Sequence, residues 1–549
     1  MVVVRTLRFL LKNLDSFRTK FWINIFAAFL DGIVAFAIPI LLSEFTKSDL
    51  TLDSFQVLVP YLVGCFVASL ILQWILRRWG EALAKQFGNY LRLKYFKILE
   101  RLEVDVLLNT HSGYLLSLVT KVCDGATDLV FTMIWLLAHS FATLCLFFIF
   151  TAKESLFIAL LNLVVLIVFL VISVFFSRKM VPIADKLNVL HAALVERFVD
   201  LMTNIFTVKK LGVFDFAELQ LSEKVDVNHI QIQKLQNFHA NRWFALHAIY
   251  GLAFLSTIIF LLHQISEGVV SASVLILFIA AFAVIRGHIE QLSEMIKDLL
   301  EMDAYVKTLN EITQNTEDHD TTDFETEWSS IRLSEVSFSY QDSNKTVRIP
   351  QFTFNKGERI CVTGESGQGK STFINILACF LQPQSGTCLL DDRSFQEQSR
   401  SKFRALMSIV SQEVELFNIT VRDNISLGRK ISDQQILEVI NGLKLAEWYE
   451  QLPDGLDTMV GEKGIKLSAG QKQRINIARG ILLDRQITLF DEPTSHLDQE
   501  TEKHVVEFLK DQLGNRSAIF ISHRPAVEAL CNRKFIFQSS TLSEVKSDE

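Results

Sequence analysis

The sequence lacks any surplus of basic charge. Lys and Arg number 54 against 61 Asp and Glu, for a net charge of −7, so the electrostatic footprint of a nucleic-acid binder is absent. Charged residues of both signs reach only 21%. The seven cysteines stand singly at 65, 123, 145, 361, 379, 388 and 531, with no CxxC pair and no Cys/His cluster. That pattern supports neither a zinc site nor a disulfide framework and reads as free thiols in membrane and cytosol. What the chain has instead is apolar bulk: 50% hydrophobic residues, 44 Phe and a mean hydropathy of +0.28 over 549 residues. This composition describes a membrane protein with a soluble part, and the length allows two to four domains.

Six apolar runs are long enough to cross about 30 Å of hydrocarbon. They are Trp22–Phe45, Phe55–Leu76, Asp128–Phe150, Leu156–Phe176, Trp243–His263 and Gly268–Arg286, and none follows. The first is too long, and lacks the small-residue cleavage pattern, to be a removed signal peptide. Basic residues crowd two loops, from Arg77 to Lys121 and from Arg178 to Arg242, whereas the opposite side carries only Lys47 and Lys153. Positive residues stay inside, so both termini and the soluble part are expected in the cytoplasm. The leading "RTLRFLLKNLDSFRTKF" fits a helix lying on the inner membrane surface. The two basic loops hold few Gly and, apart from Pro182, no Pro. Helical throughout, each hairpin would carry its spans on the order of 30 Å beyond the membrane. Their tips are "LEVDVLLNTHSG" and "KKLGVFDFAE".

The acidic stretch 310–330 reads as a solvated linker between a membrane domain, 1–309, and a soluble α/β domain, 331–549. In the latter, "IRLSEVSFSY" and "ERICVTG" read as its first two strands. "GESGQGKST" then opens an apolar helix, which is the phosphate-loop pattern GxxxxGK[ST]. Glycines let backbone N–H groups wrap a phosphate; Lys370 supplies a cation to it and Ser371 a hydroxyl to Mg²⁺. "ITLFDE" is an apolar strand ending in two carboxylates, Asp491 for Mg²⁺ and Glu492 to polarise the attacking water. "IFISH" brings His523 to another strand end, where a γ-phosphate sensor would sit. "KLSAGQKQRINIAR" places the small residues Ser468, Ala469 and Gly470 before what reads as a basic amphipathic helix. Ala469 is expected to cost left-handed backbone freedom.

Taken together, these motifs closely resemble the ATP-binding cassette (ABC) transporter family over essentially the whole chain, as an exporter-type half-transporter. The resemblance implies an all-α six-helix exporter-type membrane domain joined to a cytosolic α/β P-loop ATPase domain. It matches Tyr340 to the aromatic that stacks on adenine and Gly364, Glu365, Ser366, Gly367, Gln368, Gly369, Lys370, Ser371 and Thr372 to the ATP-binding loop. Gln412 matches the glutamine that touches Mg²⁺ beside Ser371 and Asp491. "LSAGQ" (through Gln471) matches the signature loop, "SHLD" (ending at Asp498) the D-loop, Glu492 the catalytic base and His523 the switch histidine. It implies ATP and Mg²⁺, and a second half-transporter, a homodimer in the simplest case. Each ATP would lie between one subunit's phosphate loop and the other's Ser468, Ala469, Gly470, Gln471 and Asp498. The two loop tips match the family's coupling helices in placement. Ala469, "DEPTSHLD" and Ile419 depart from the commonest exporter forms, but none removes a catalytic group.

The implied activity is ATP-driven export or flipping of an amphipathic substrate (lipid, peptide or drug-like) across a bacterial inner membrane; alternatives are import on the same scaffold and an ATP-gated channel or regulatory ATPase. No peptidase domain is expected before the first span, and no nucleic acid as partner. Of the few polar residues inside the spans, Asp31 is either a cavity contact or gate, or a carboxylate paired with a neighbouring helix's His or hydroxyl. His139 and His247 are the other candidates for a substrate cavity.

Overall fold

A computed structural model describes residues 2–47, 52–102, 106–107, 110, 112–313, 328–340, 345–395, 400–461, 464 and 467–545. Most of the expected linker, 314–327, lies outside them, as does part of the first loop tip. The chain forms two compact units, Met1–Leu102 with Val106–Asn315, and Thr316–Glu549.

The first unit is helical: α1 (Val2–Asn13), α2 (Arg18–Lys47), α3 (Leu52–Ile75), α4 (Glu81–Leu99), α5 (Ser112–Thr132), α6 (Ala138–Glu154), α7 (Leu156–Thr203), α8 (Ile205–Leu211), α9 (Phe214–Ser266) and α10 (Ala272–Ile312). π-Helical turns at Leu76–Gly80 and Met133–Leu137 join α3 to α4 and α5 to α6 without a break. Among the described residues six helices are thus long and apolar enough to cross a membrane, and they outrun the apolar segments, as the helical loops require. The sixth starts at Ala272, not Gly268. Gly268 takes φ +73° in the turn after α9, a left-handed conformation that ends a helix.

Burial follows the side chains. Leu10 of α1, and Leu14 just after it, share one cluster with Phe87, Leu299 and Met302. Phe36, Phe147, Phe169, Phe278 and Phe282 fill another. Small residues set the closest approaches. A Cβ on Gly32 would lie 2.6 Å from the His139 carbonyl and 2.9 Å from Ala142 Cβ, so only glycine lets α2 and α6 touch there.

The second unit contains β1 (Ser330–Ser339), β2 (Thr346–Asn355), β3 (Arg359–Gly364), α11 (Lys370–Leu377), β4 (Ser385–Leu390), β5 (Arg393–Ser394), α12 (Arg400–Ala405), β6 (Met407–Val410), α13 (Val421–Ser426), α14 (Asp433–Gly442), α15 (Ala446–Glu450), α16 (Ala469–Leu482), β7 (Ile487–Asp491), α17 (Gln499–Leu513), β8 (Ser517–Ile521), α18 (Pro525–Glu528), β9 (Arg533–Gln538) and β10 (Thr541–Val545). The strands form one sheet in the order β5-β4-β1-β2-β10-β9-β3-β8-β7-β6. Strands β9, β3, β8, β7 and β6 run parallel, and the continuous apolar runs of β3, β7 and β8 are buried between two hydrophobic layers. Phe490 and Phe520 stack across neighbouring strands, centroids 4.6 Å apart.

"ERICVTG" is therefore the third strand, not the second. Thr346–Asn355 escapes a reading of the sequence because Pro350 interrupts it, and a proline argues against a strand interior. The structure accommodates it. Ser334 pairs with Gln351 and Val336 with Ile349, so the register with β1 continues unbroken past Pro350; Glu335, opposite it, takes φ +51°, and the shift in register there falls on the β4 side of β1.

Candidate nucleotide site

The phosphate loop runs from the end of β3 into α11, where the helix N-terminus meets its glycines. Gly364, Gly367 and Gly369 take φ of +143°, +76° and +109°. At Gly369 a Cβ would fall 2.6 Å from Val347 Cγ2, so strand β2 closes this position to any other residue. Lys370 is buried and its Nζ donates to the carbonyls of Gly364 (2.6 Å) and Glu365 (3.0 Å). Glu365 and Ser366 are exposed, Thr372 buried. Gln368 anchors the loop, its Oε1 accepting from the backbone N–H of Ser540 at 2.8 Å. Tyr340 is 46% exposed, with its hydroxyl 3.4 Å from Thr372 Oγ1.

Two hydrogen bonds gather the remaining polar residues here. Ser371 Oγ donates to Asp491 Oδ2 at 3.1 Å, and Gln412 Nε2 donates to Glu492 Oε2 at 2.9 Å. Burial, reinforced by neighbouring Glu492, pushes the Asp491 carboxyl up from its ordinary value, against the Ser371 hydroxyl and the Lys370 cation. Glu492 adopts φ +47°, a left-handed conformation for a non-glycine residue. Its N–H bonds the Ile521 carbonyl at 3.0 Å, so the chain turns sharply at the tip of β7. His523, exposed, follows β8 two residues further on.

The oxygen donors of Ser371, Asp491 and Gln412 suit a hard cation. Among the described residues no group of three or more His, Cys, Asp or Glu could hold a metal. Mg²⁺ does not need one, since it takes one or two carboxylates and completes its shell with phosphate oxygens and water.

Ser468 caps α16 in a reciprocal box. Its hydroxyl accepts from Gln471 N–H at 3.2 Å, and Gln471 Oε1 accepts from Ser468 N–H at 2.9 Å. Ala469 is therefore the first helical residue, not part of a left-handed loop, and the expected cost of lost backbone freedom does not arise. Ile419 likewise keeps a negative φ and needs no glycine. Gly470 is constrained by packing: a Cβ there would sit 3.0 Å from the His496 carbonyl. Asp498 caps α17, its Oδ1 accepting from Glu500 N–H (3.1 Å) and Thr501 N–H (3.0 Å), bonds that hold its carboxyl below the usual range.

α16 is not a solvated basic helix. Arg479 is 8% exposed and donates to the Asn424 carbonyl (2.6 Å), Asn424 Oδ1 (2.7 Å) and the Glu415 carbonyl (2.7 Å); burial pulls its pKa down to about 10. Gln473 is fully buried. Its Nε2 donates to the Glu492 carbonyl (2.7 Å) and Ser495 Oγ (3.1 Å), and its Oε1 accepts from His496 N–H (3.0 Å). One amide thus ties the signature helix to the turn that carries Glu492. The only trace of it in the sequence is a polar residue spaced three from Asn476 and six from Arg479, along a buried face. The thiols are free, as expected: Cys361 Sγ donates to the Ser522 carbonyl at 3.8 Å and Cys531 Sγ to the Val527 carbonyl at 3.7 Å.

In the helical unit the expected cavity residues separate. Asp31, 2% exposed, accepts from Ser69 Oγ at 2.6 Å and lies 3.1 Å from His139 Nδ1. Of the two readings left open for it, a carboxylate paired with both a His and a hydroxyl is the arrangement present. The His139 ring stands 4.6 Å from that of His288. His247 belongs to a different pair, its Nε2 2.8 Å from Glu290 Oε1 and its ring stacked on Trp243.

Comparison with known proteins gives two matching family models: "ABC transporter transmembrane region" over residues 21–289 and "ABC transporter" over residues 347–495. The uncharacterized ABC transporter ATP-binding protein YwjA of Bacillus subtilis is 25% identical over 96% of this chain and 93% of its own length. An ATP-dependent lipid A-core flippase of Methylobacillus flagellatus is 30% identical over 62% of this chain, and one of Idiomarina loihiensis 40% identical over 35%. The chain spans 59% and 34% of those two flippases. A bacterial Atm1-family ABC exporter with ATP bound has the same fold, with a TM-score of 0.87 over 96% of this chain and 94% of its own, at 22% identity.

Proposed function

Since the chain belongs to the ABC transporter family, as an exporter-type half-transporter with an ATPase domain coupled to transport, we propose that it moves an amphipathic substrate as a dimer, a homodimer in the simplest case. The observation that carries this reading is the convergence of Ser371 on Asp491 and of Gln412 on Glu492 beside Lys370. In it, Tyr340 stacks on adenine, and backbone N–H groups of Gly364–Thr372 and the Lys370 ammonium hold the phosphates. Ser371, Asp491 and Gln412 hold Mg²⁺, which when bound neutralises phosphate charge. Glu492 takes the proton of the attacking water and His523 donates to the γ-phosphate. The partner's helix α16, which begins with the exposed residues Ser468 and Ala469, closes the other side of the nucleotide, and Asp498 of that same subunit lies with it. Both termini face the cytoplasm of a bacterial inner membrane, in keeping with the basic loops. A lipid is the favoured substrate, in keeping with the flippase relatives; Asp31, His139 and His247 are the candidate contacts when the helices part.

Glu492→Gln is expected to lower ATP turnover at least tenfold while nucleotide binding persists, because the amide keeps the shape and loses the base. Turnover near that of the unaltered protein would remove Glu492 from this role. In sealed vesicles with the ATPase domain outside, ATP should drive a fluorescent lipid to the far leaflet. Movement in the opposite sense would indicate import, and a passive conductance a channel.

A further inference from the structure

We propose that the helical unit carries a phospholipid site selective for an amine headgroup, phosphatidylethanolamine, at the membrane–water interface beside the π-helical turn Leu76–Gly80. Lys20 and Trp79 line one cavity there, and Arg18, Trp22, Trp74, Arg77 and Arg78 are their near neighbours along the chain, the mixture of basic and aromatic residues that marks an interface. Arg77 lies over the Trp135 ring and Arg78 over the Trp74 ring, at 5.6 and 5.4 Å. Both guanidinium groups are thereby occupied by aromatic faces.

A cavity of about 390 Å³ opens between α2 and the start of α4, walled by Ile23, Trp79, Ala82 and Leu83. Its surface is almost wholly apolar, suited to an acyl chain. Three polar side chains line it as well, the exposed Gln86 and two that bear on a headgroup, Lys20 and Asn24. Lys20 is exposed and has no carboxylate within 4 Å among the described residues, so its ammonium is free for a phosphate. Asn24 is 4% exposed. Its Nδ2 donates to the Lys20 carbonyl at 2.8 Å, but its Oδ1 is buried and accepts no hydrogen bond. A buried amide oxygen without a donor is unfavourable and favours a ligand that supplies one. Its nearest covering position is Gly80, where a Cβ would lie 3.6 Å away and none exists. Gly80 closes the π-helical turn, and such turns recur at binding sites because they widen a helix locally.

The pocket therefore asks for three things in one molecule: an apolar chain, an anionic group for Lys20 and a hydrogen-bond donor for Asn24. Phosphatidylethanolamine supplies all three. Phosphatidylcholine, with the same phosphate and the same positive charge, has no N–H to give. This site does not depend on the proposed transport direction.

The test is competitive lipid retention. The full-length protein is purified from mixed micelles holding equal amounts of phosphatidylethanolamine and phosphatidylcholine with matched acyl chains, and retained lipids are counted by native mass spectrometry. The unaltered protein should prefer phosphatidylethanolamine by about tenfold, the factor that one charge-assisted hydrogen bond provides. Asn24→Leu should lose the preference and still retain phosphatidylcholine. Ala82→Trp, which fills the cavity from an exposed position, should lose both lipids. Equal retention of the two lipids by the unaltered protein overturns the proposal and needs no variant. So does a preference that survives Asn24→Leu, or lipid retention untouched by Ala82→Trp.

Discussion

At the scale of single residues, Gln473 and Ala469 bear most directly on the ATP site. Gln473→Leu keeps the volume of the side chain and removes all three of its hydrogen bonds. The His496 N–H would lose its partner, while the Glu492 carbonyl and Ser495 hydroxyl would each lose one of two. A group left unpaired costs about 1–3 kcal/mol, so the turn carrying Glu492 should loosen. Steady-state ATPase assays should show turnover lowered severalfold, with the KM for ATP changed less. Unchanged turnover would mean that the turn is held by other contacts. Ala469→Gly tests the opposite situation. Because Ala469 is the first residue of a capped helix, glycine there should weaken α16 by up to about 1 kcal/mol and bring no gain in activity. An increase in turnover would show that left-handed freedom at 469 matters after all.

At the scale of elements, closeness of approach is the controlling feature. Gly32→Ala should force α2 and α6 apart, because the first contact is the His139 backbone carbonyl, which cannot swing away. Overpacking of this kind costs about 1–3 kcal/mol. It would also strain the neighbouring Asp31–His139 pair. Thermal unfolding in detergent should begin several degrees lower, and an unchanged midpoint would place slack in this contact. The long helices were legible in the sequence, since apolar runs and Pro-poor basic loops share one continuous helical pattern. The two π-helical turns were not. A π turn alters neither composition nor period enough to be seen, and here the two turns pack so closely that a Cβ on Gly80 would lie 3.1 Å from Ile134 Cγ2. β2 was hidden for the reverse reason: Pro350 signals a break, yet the pairing with β1 keeps its register on both sides of it.

At the scale of the whole molecule, phosphate chemistry dictates residue types at fixed spacing, so Gly364–Thr372, Asp491 and Glu492 could be read from the chain alone. What joins the motifs could not, because the partners of Gln473 and Arg479 meet only in the fold. The dimer model makes its own prediction. When the purified protein is fractionated by size, ATPase activity should follow the dimer and vanish from monomer fractions; equal specific activity in both would contradict shared sites. The Gln473 amide acquires a further meaning in such a dimer. The turn it holds belongs to one nucleotide, and the helix it sits on closes over the other. A rigid link between them lets occupancy of one site alter the affinity of the next, which is a coupling free energy between equivalent ligands. The Hill coefficient for ATP should then exceed one in the unaltered protein and fall toward one in Gln473→Leu, so that a single buried side chain would set how steeply the transporter responds to the cell's supply of ATP.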